Sequence, residues 1–278
     1  DRGKLLLAGS NTYGGNTSVG SGLLVTAASN TLPDTTVVSV AGTATLSLGG
    51  SDTIASLVLG GTIGGEGTLT AATYTLNGGT VTSVGLGAGV LTSTGSSTIT
   101  TFALADTVDV TGGTLTLGSA NVLADTAAVT VATGAALVLG GSDTVGTLTL
   151  AGTLGGTGTL TASTYTMQPG AVTIADLGVG TLVVNGATSL NGTAQADFVQ
   201  VNSGATLTLG TTDRLSDTAA VAVASGASLV LNGSDTVGTL SLAGTLGGAG
   251  TLAANASTLA NGAVLDTTLA GANVTATG

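Results

Sequence analysis

The chain has 278 residues, 48 of them glycine, and fourteen acidic against three basic side chains give a net charge of −11. His, Cys and Trp are absent, which excludes Ser-His-Asp and Cys-His catalysis and metal sites built on imidazole or thiolate. With Arg2, Lys4 and Arg214 as the only cations, binding to nucleic acid or to an anionic membrane surface by charge neutralisation is excluded as well.

The chain opens with a partial repeat over residues 1–31. From Leu32 onward the sequence copies itself. Leu32, Leu123 and Leu215 begin matching stretches 91 and 92 residues apart, giving long repeats at 32–122, 123–214 and 215–278, the last truncated. A period this regular implies stacked units that contact mainly their neighbours. The first long repeat divides into Leu32–Thr53, Ile54–Tyr74, Thr75–Thr98 and Ile99–Val122. Within these pieces TATLSLGG (43–50), ASLVLGG (55–61) and GTLTLGS (113–119) alternate apolar with Thr or Ser. That period of two marks strands with one row of side chains inward and one outward. In the second copy the same phase places Leu137 and Leu139 inward and Val138 outward.

Residues that favour helix, such as Glu, Lys, Gln and Arg, are scarce, while Thr and Val favour strands and Gly supplies corners. Five aromatics, Tyr13, Tyr74, Phe102, Tyr165 and Phe198, are too few for a wide core. The expected fold is all-β, a right-handed parallel β-helix (β-solenoid) spanning 1–278 as a single segment. It would have about twelve rungs of 21–24 residues, each of about three short strands. A β-sandwich would need hairpins and offers no reason for the long period.

The acids read as structural. Asp52, Asp143 and Asp235 recur in Ser-Asp-Thr, and Asp34, Asp125 and Asp217 recur before Thr, as expected of Asx turns at corners. The alternative is calcium, for which Asp106 with Asp125 and Asp197 with Asp217 are the candidate ligands on successive rungs. No other cofactor is expected. Tyr74 and Tyr165 lie 91 residues apart, with Ser257 in the third copy. They read as corner-packing residues, with an exposed sugar platform as the alternative. A polysaccharide lyase would need a basic catalytic group, and Arg214 alone lies within the repeats.

Lys4 to Gly50 carries more specific wording. The turn Gly9-Ser10-Asn11-Thr12-Tyr13-Gly14-Gly15, the strand Gly22-Leu23-Leu24-Val25 and the following DTTVV and LGGSDTI resemble the autotransporter-associated β-strand repeat. The full wording occurs once. The resemblance implies a right-handed β-helix in the passenger of a large secreted Gram-negative autotransporter or adhesin, displayed at the cell surface, and it brings no enzymatic residues.

The expected function is therefore a structural stalk or fibre segment. A glycan- or surface-binding adhesive module is the alternative, and a carboxylate glycosidase on a β-helix a third. Expected partners are neighbouring solenoid segments, end-to-end copies, a host surface or a polysaccharide. No apolar run is long enough to span a bilayer. DRGKLLLAGS does not read as a signal peptide and neither end reads as a cap, so a mature segment or a piece of a longer stack is expected.

Overall fold

The structure, a computed structural model, describes residues 3–277. Asp1 and Arg2, part of the N-terminal end read as uncapped, lie outside the described residues, as does Gly278. The fold is a β-solenoid of parallel strands, and no helix occurs among the described residues. The chain divides into two compact units, Asp1–Val145 and Gly146–Gly278.

In the first unit, eight strands from Lys4–Leu7 to Ala136–Leu139 form one parallel ladder. A second ladder holds Thr17–Val19, Val37–Val40, Asp52–Leu59, Thr68–Leu76 and their successors. A third line of contact shrinks to single bridges, Leu86 to Ala103 to Leu123. The second unit repeats the plan, with seven strands from Thr153–Gly156 to Val264–Leu265 and the bridges Leu177 to Ala194 to Leu215.

The rung count differs from the sequence expectation, at about 16 turns. Rungs are short where Thr45 pairs with Thr62 and Thr62 with Thr80. They are longer where Leu23 pairs with Thr45, Thr114 with Ala136 and Thr206 with Ser228. Each of these longer rungs contains an extra turn, closed by Thr36 N–H to Pro33 O, Ala127 N–H to Ala124 O or Ala219 N–H to Ser216 O. The long repeat holds five rungs rather than four, as the steps from Leu46 to Ile63, Val81, Ile99, Leu117 and Leu139 show.

The alternation does what its period requires. Inward residues form continuous columns, one running from Leu24 through Leu46, Ile63, Val81, Ile99 and Leu117 to Leu139. Leu137 and Leu139 are buried while Val138 faces outward, the phase expected from sequence. Rungs come close enough to demand glycine in places. A side chain at Gly65 or Gly248, both at positive φ, would collide with the carbonyl of Leu48 or Leu231 on the rung before.

The second copy departs from the first at one proline. Gly78 turns the corner with φ 83°, and Pro169 stands at the matching place, 91 residues on. Proline holds φ near −65°, so the positive φ moves one residue along, to Gly170 at 90°. A slip of one residue exchanges the faces of a strand. Val81 is buried and Thr82 is not, whereas in the second copy Thr173 is buried and Val172 is not. Thr173 therefore sits in an aliphatic column, between Leu154 and Leu190. The phase is restored at Ala175, which matches Val84. The first copy bulges there instead, at Ser83 with φ 64°, whose counterpart in the second copy is Ile174.

Candidate functional site

The most constructed polar feature occurs three times. At one corner of a rung Asn30, Asn121 and Asp213 each adopt φ 51°, a left-handed conformation that Asn and Asp tolerate better than other non-glycine residues. The two N–H groups that follow then converge, as in backbone anion nests. One rung later an aspartate enters. Asp52 Oδ2 accepts from Thr31 and Leu32 N–H, both at 3.0 Å. Asp143 Oδ2 accepts from Val122 and Leu123 N–H at 2.9 and 3.1 Å, and Asp235 Oδ2 from Arg214 and Leu215 N–H at 2.8 and 3.1 Å. Oδ1 of each accepts the next residue's N–H, from Thr53, Thr144 or Thr236. The preceding serine carbonyl takes the corner's own N–H, from Asn30, Asn121 or Asp213.

These contacts replace the expected Asx turn. The carboxylates clamp the rung before them rather than their own backbone two residues on, because stacking brings N–H groups 20 and 21 residues away within reach. Asp34, Asp125 and Asp217 differ from them. They are exposed, at the second position of the turns described above.

The clamps carry a pH signature. Burial pushes the carboxyls of Asp52, Asp143 and Asp235 above their ordinary 3.8, against the lowering effect of the backbone donors; the charges of Asp34, Asp125 and Asp213, respectively, add to the rise. The folded chain therefore binds these protons more tightly than the unfolded chain. Their contribution to stability is fully present below the unfolded pKa and is lost as pH rises through the folded one. The unfolding midpoint is expected to rise as pH is lowered from 7 toward about 4. The triple variant D52N/D143N/D235N should show a smaller rise. A midpoint in the parent that falls over this range would contradict the assignment.

Tyr74 and Tyr165 are fully buried, which removes them as an exposed sugar platform. Each phenol oxygen accepts a backbone N–H at 2.8 Å, from Ala71 or Ala162. Its own proton faces the carbonyls of Leu69 and Ala88, or of Leu160 and Val179. Burial raises both phenol pKa values. On the next rung the strand breaks between Leu86 and Val90, and between Leu177 and Thr181. The phenol thus serves backbone groups at the point where the ladder is interrupted. In the third copy Ser257 occupies the place, and the paired strands Thr251–Ala260 and Thr268–Thr277 run on without a break.

The four calcium candidates are all exposed. The backbone carbonyl of Asp106 accepts from Ala128 N–H and that of Asp197 from Ala220 N–H, so each pair does lie on successive rungs. Among the described residues no group of three or more His, Cys, Asp or Glu converges. Asp217 instead borders an open polar groove of about 470 Å³ with Gln195, Asp213, Leu215, Ser216 and Thr236. Arg214 donates to the carbonyls of Thr212 and Asn191 at 2.8 and 2.7 Å.

One pair escaped sequence reasoning. Phe102 lies over Gly85, where any side chain would strike its ring. The matching residues 91 positions on are Asp176 and Thr193, and Asp176 Oδ1 accepts from the Thr193 N–H and hydroxyl at 2.7 and 2.8 Å. An apolar contact in one copy is a hydrogen-bonded one in the other, and only the rung register places the partners side by side.

No family model, no curated protein and no solved structure matches this chain.

Proposed function

We propose that this chain is a non-catalytic structural segment of a secreted bacterial surface protein of the autotransporter or adhesin type, which holds an adhesive or effector part away from the cell. The observation that supports the reading most is how the buried polar groups are used. Among the described residues all three buried aspartates and both buried tyrosines bond to backbone of an adjoining rung, and so brace one rung against another. Parallel ladders with aliphatic columns make a scaffold whose contacts are each made to the adjoining rung.

The resemblance of Lys4–Gly50 to the autotransporter-associated repeat supports a secreted, cell-surface location. In that segment Asn11 braces the turn, donating from Nδ2 to the carbonyls of Gly9 and Thr31, while the Tyr13 hydroxyl meets that of Thr17 at 2.6 Å. Antibody raised against the chain should label intact producing cells. Labelling only after permeabilisation would overturn the reading.

The polar groove beside Asp213 and Asp217 favours a second reading, an adhesive module for a polysaccharide, since carboxylates and the Gln195 amide match sugar hydroxyls. A glycan array decides between the two. Binding lost in Asp213→Ala and Gln195→Ala would favour the adhesive reading, and an array with no binding would favour the scaffold.

A further inference from the structure

The first and last rungs described are complementary. Among the described residues, Lys4–Leu7 and Val264–Leu265 each pair along one edge only, with Gly22–Thr26 and Thr245–Gly248. The same holds for Thr17–Val19 and Thr268–Thr277 in the second ladder. A free edge presents unpaired N–H and C=O groups. Inward side chains are uncovered there as well. Leu5 is 62 % exposed, Leu265 44 % and Val274 57 %, although their partners Leu24, Leu246 and Ser257 are buried. An open groove of about 350 Å³ reaches Leu5, Val19 and Leu24 on the first rung.

The rungs recur in a cycle of five, so the place of each edge in the cycle can be read from its pairing. Leu24, Leu115 and Leu207 match, 91 and 92 residues apart. Leu5 pairs with the first as Ser97 and Thr188 pair with the others. Lys4–Leu7 is thus a strand of the Ser97–Ile99 and Ala187–Leu190 type. Ile63, Leu154 and Leu246 match at the same spacings and pair with Val81, Thr173 and Leu265. Val264–Leu265 is thus of the Thr80–Val81 and Val172–Thr173 type. Both times that type is followed within the chain, the next strand is of the first type: Val81 pairs with Ile99, and Thr173 with Leu190.

The second ladder agrees. Val274 follows Ser257 as Leu182 follows Tyr165, and Leu182 pairs onward with Val199. Thr17 holds the place of Val199 on the first rung, since the two pair with the matching residues Val38 and Val221. We infer that a second copy of this chain docks head to tail on the last rung, its Leu6 and Leu7 pairing with Val264 and Leu265, and its Thr17 with Val274. The docked copy covers the open core on both sides and repeats a junction already present twice in the chain. Such a contact is heterologous, so copies add in one direction. The inference goes beyond the proposed function and does not depend on it.

Sedimentation velocity of the full chain at rising concentration tests it. Monomer giving way to dimers and longer species is the expected result, and monomer alone at the highest concentration overturns the inference. Leu5→Asp and Leu265→Asp each place a carboxylate that stays in water in the free chain and is buried unpaired in the docked one. Each variant alone should remain monomeric, whereas Val138→Asp, on an outward row, should associate like the parent. Mixed in equal amounts, the first two should form a 1:1 dimer and nothing longer, because one intact edge of each kind remains. Association of either variant by itself, or a mixture that stays monomeric, means that the contact is not head to tail, and the inference fails.

Discussion

Leu139→Asp is expected to destabilise the first unit by several kcal/mol, and Val138→Asp by under about 1 kcal/mol, although the two positions are adjacent. Leu139 is 1 % exposed and pairs in register with Leu117 along an aliphatic column. No donor is available to a carboxylate there without breaking a ladder bond, so the group is either buried unpaired or protonated at a raised pKa. Val138 points to the outer row, where an added carboxylate stays in water. Because rungs support one another locally, the damage should be local too. Hydrogen exchange is expected to quicken first at residues 114–117 and 136–139. Equal losses from both variants in denaturant titrations would mean that the strand faces the other way.

Asp143→Ala is the second large effect, at about 3–5 kcal/mol. It strands three backbone N–H groups, of Val122, Leu123 and Thr144, at about 1–3 kcal/mol each if water does not reach them. Asp143→Asn keeps an oxygen for Val122 and Leu123 but turns its NH₂ toward the Thr144 N–H. Its loss should be smaller, on the order of 1–2 kcal/mol, and partly offset because the buried charge is gone. The order Ala worse than Asn, with exchange quickened at residues 122, 123 and 144, is the result to look for. If alanine is harmless, the carboxylate is not the partner of those groups.

The strands, their inward faces and the parallel stacking were legible because they follow from a period of two inside a much longer one. Leu137, Val138 and Leu139 could be assigned to their faces from alternation alone. Rung length was not legible. Alternation says which way a side chain points but not where a rung closes, and the corners differ in length from one rung to another. The recurrence of Asp52, Asp143 and Asp235 pointed to a structural role, yet their partners lie a whole rung back, beyond any local rule for aspartate. The slip at Pro169 was hidden for a related reason. The sequences align without a gap across it, so nothing in the letters says that Val172 and Thr173 have exchanged places. The Asp176–Thr193 pair became visible only once the register was known.

The uniform reach of the clamps has a genetic consequence. In all three copies the carboxylate finds its donors 20 and 21 residues earlier. Each clamp is therefore encoded within a stretch far shorter than the long repeat. Unequal crossing-over between copies cuts and rejoins the gene at matching codons. Removal of residues 32–122, for example, joins Thr31 to Leu123. The left-handed corner residue Asn30 is kept, and Asp143 keeps its spacing to two donors, which are now Thr31 and Leu123. Each such exchange yields a chain with one repeat more or fewer in which every junction has its hydrogen bonds. The length of the molecule is then free to vary by inheritance, in whole repeats, without new residues having to arise to hold the joints together.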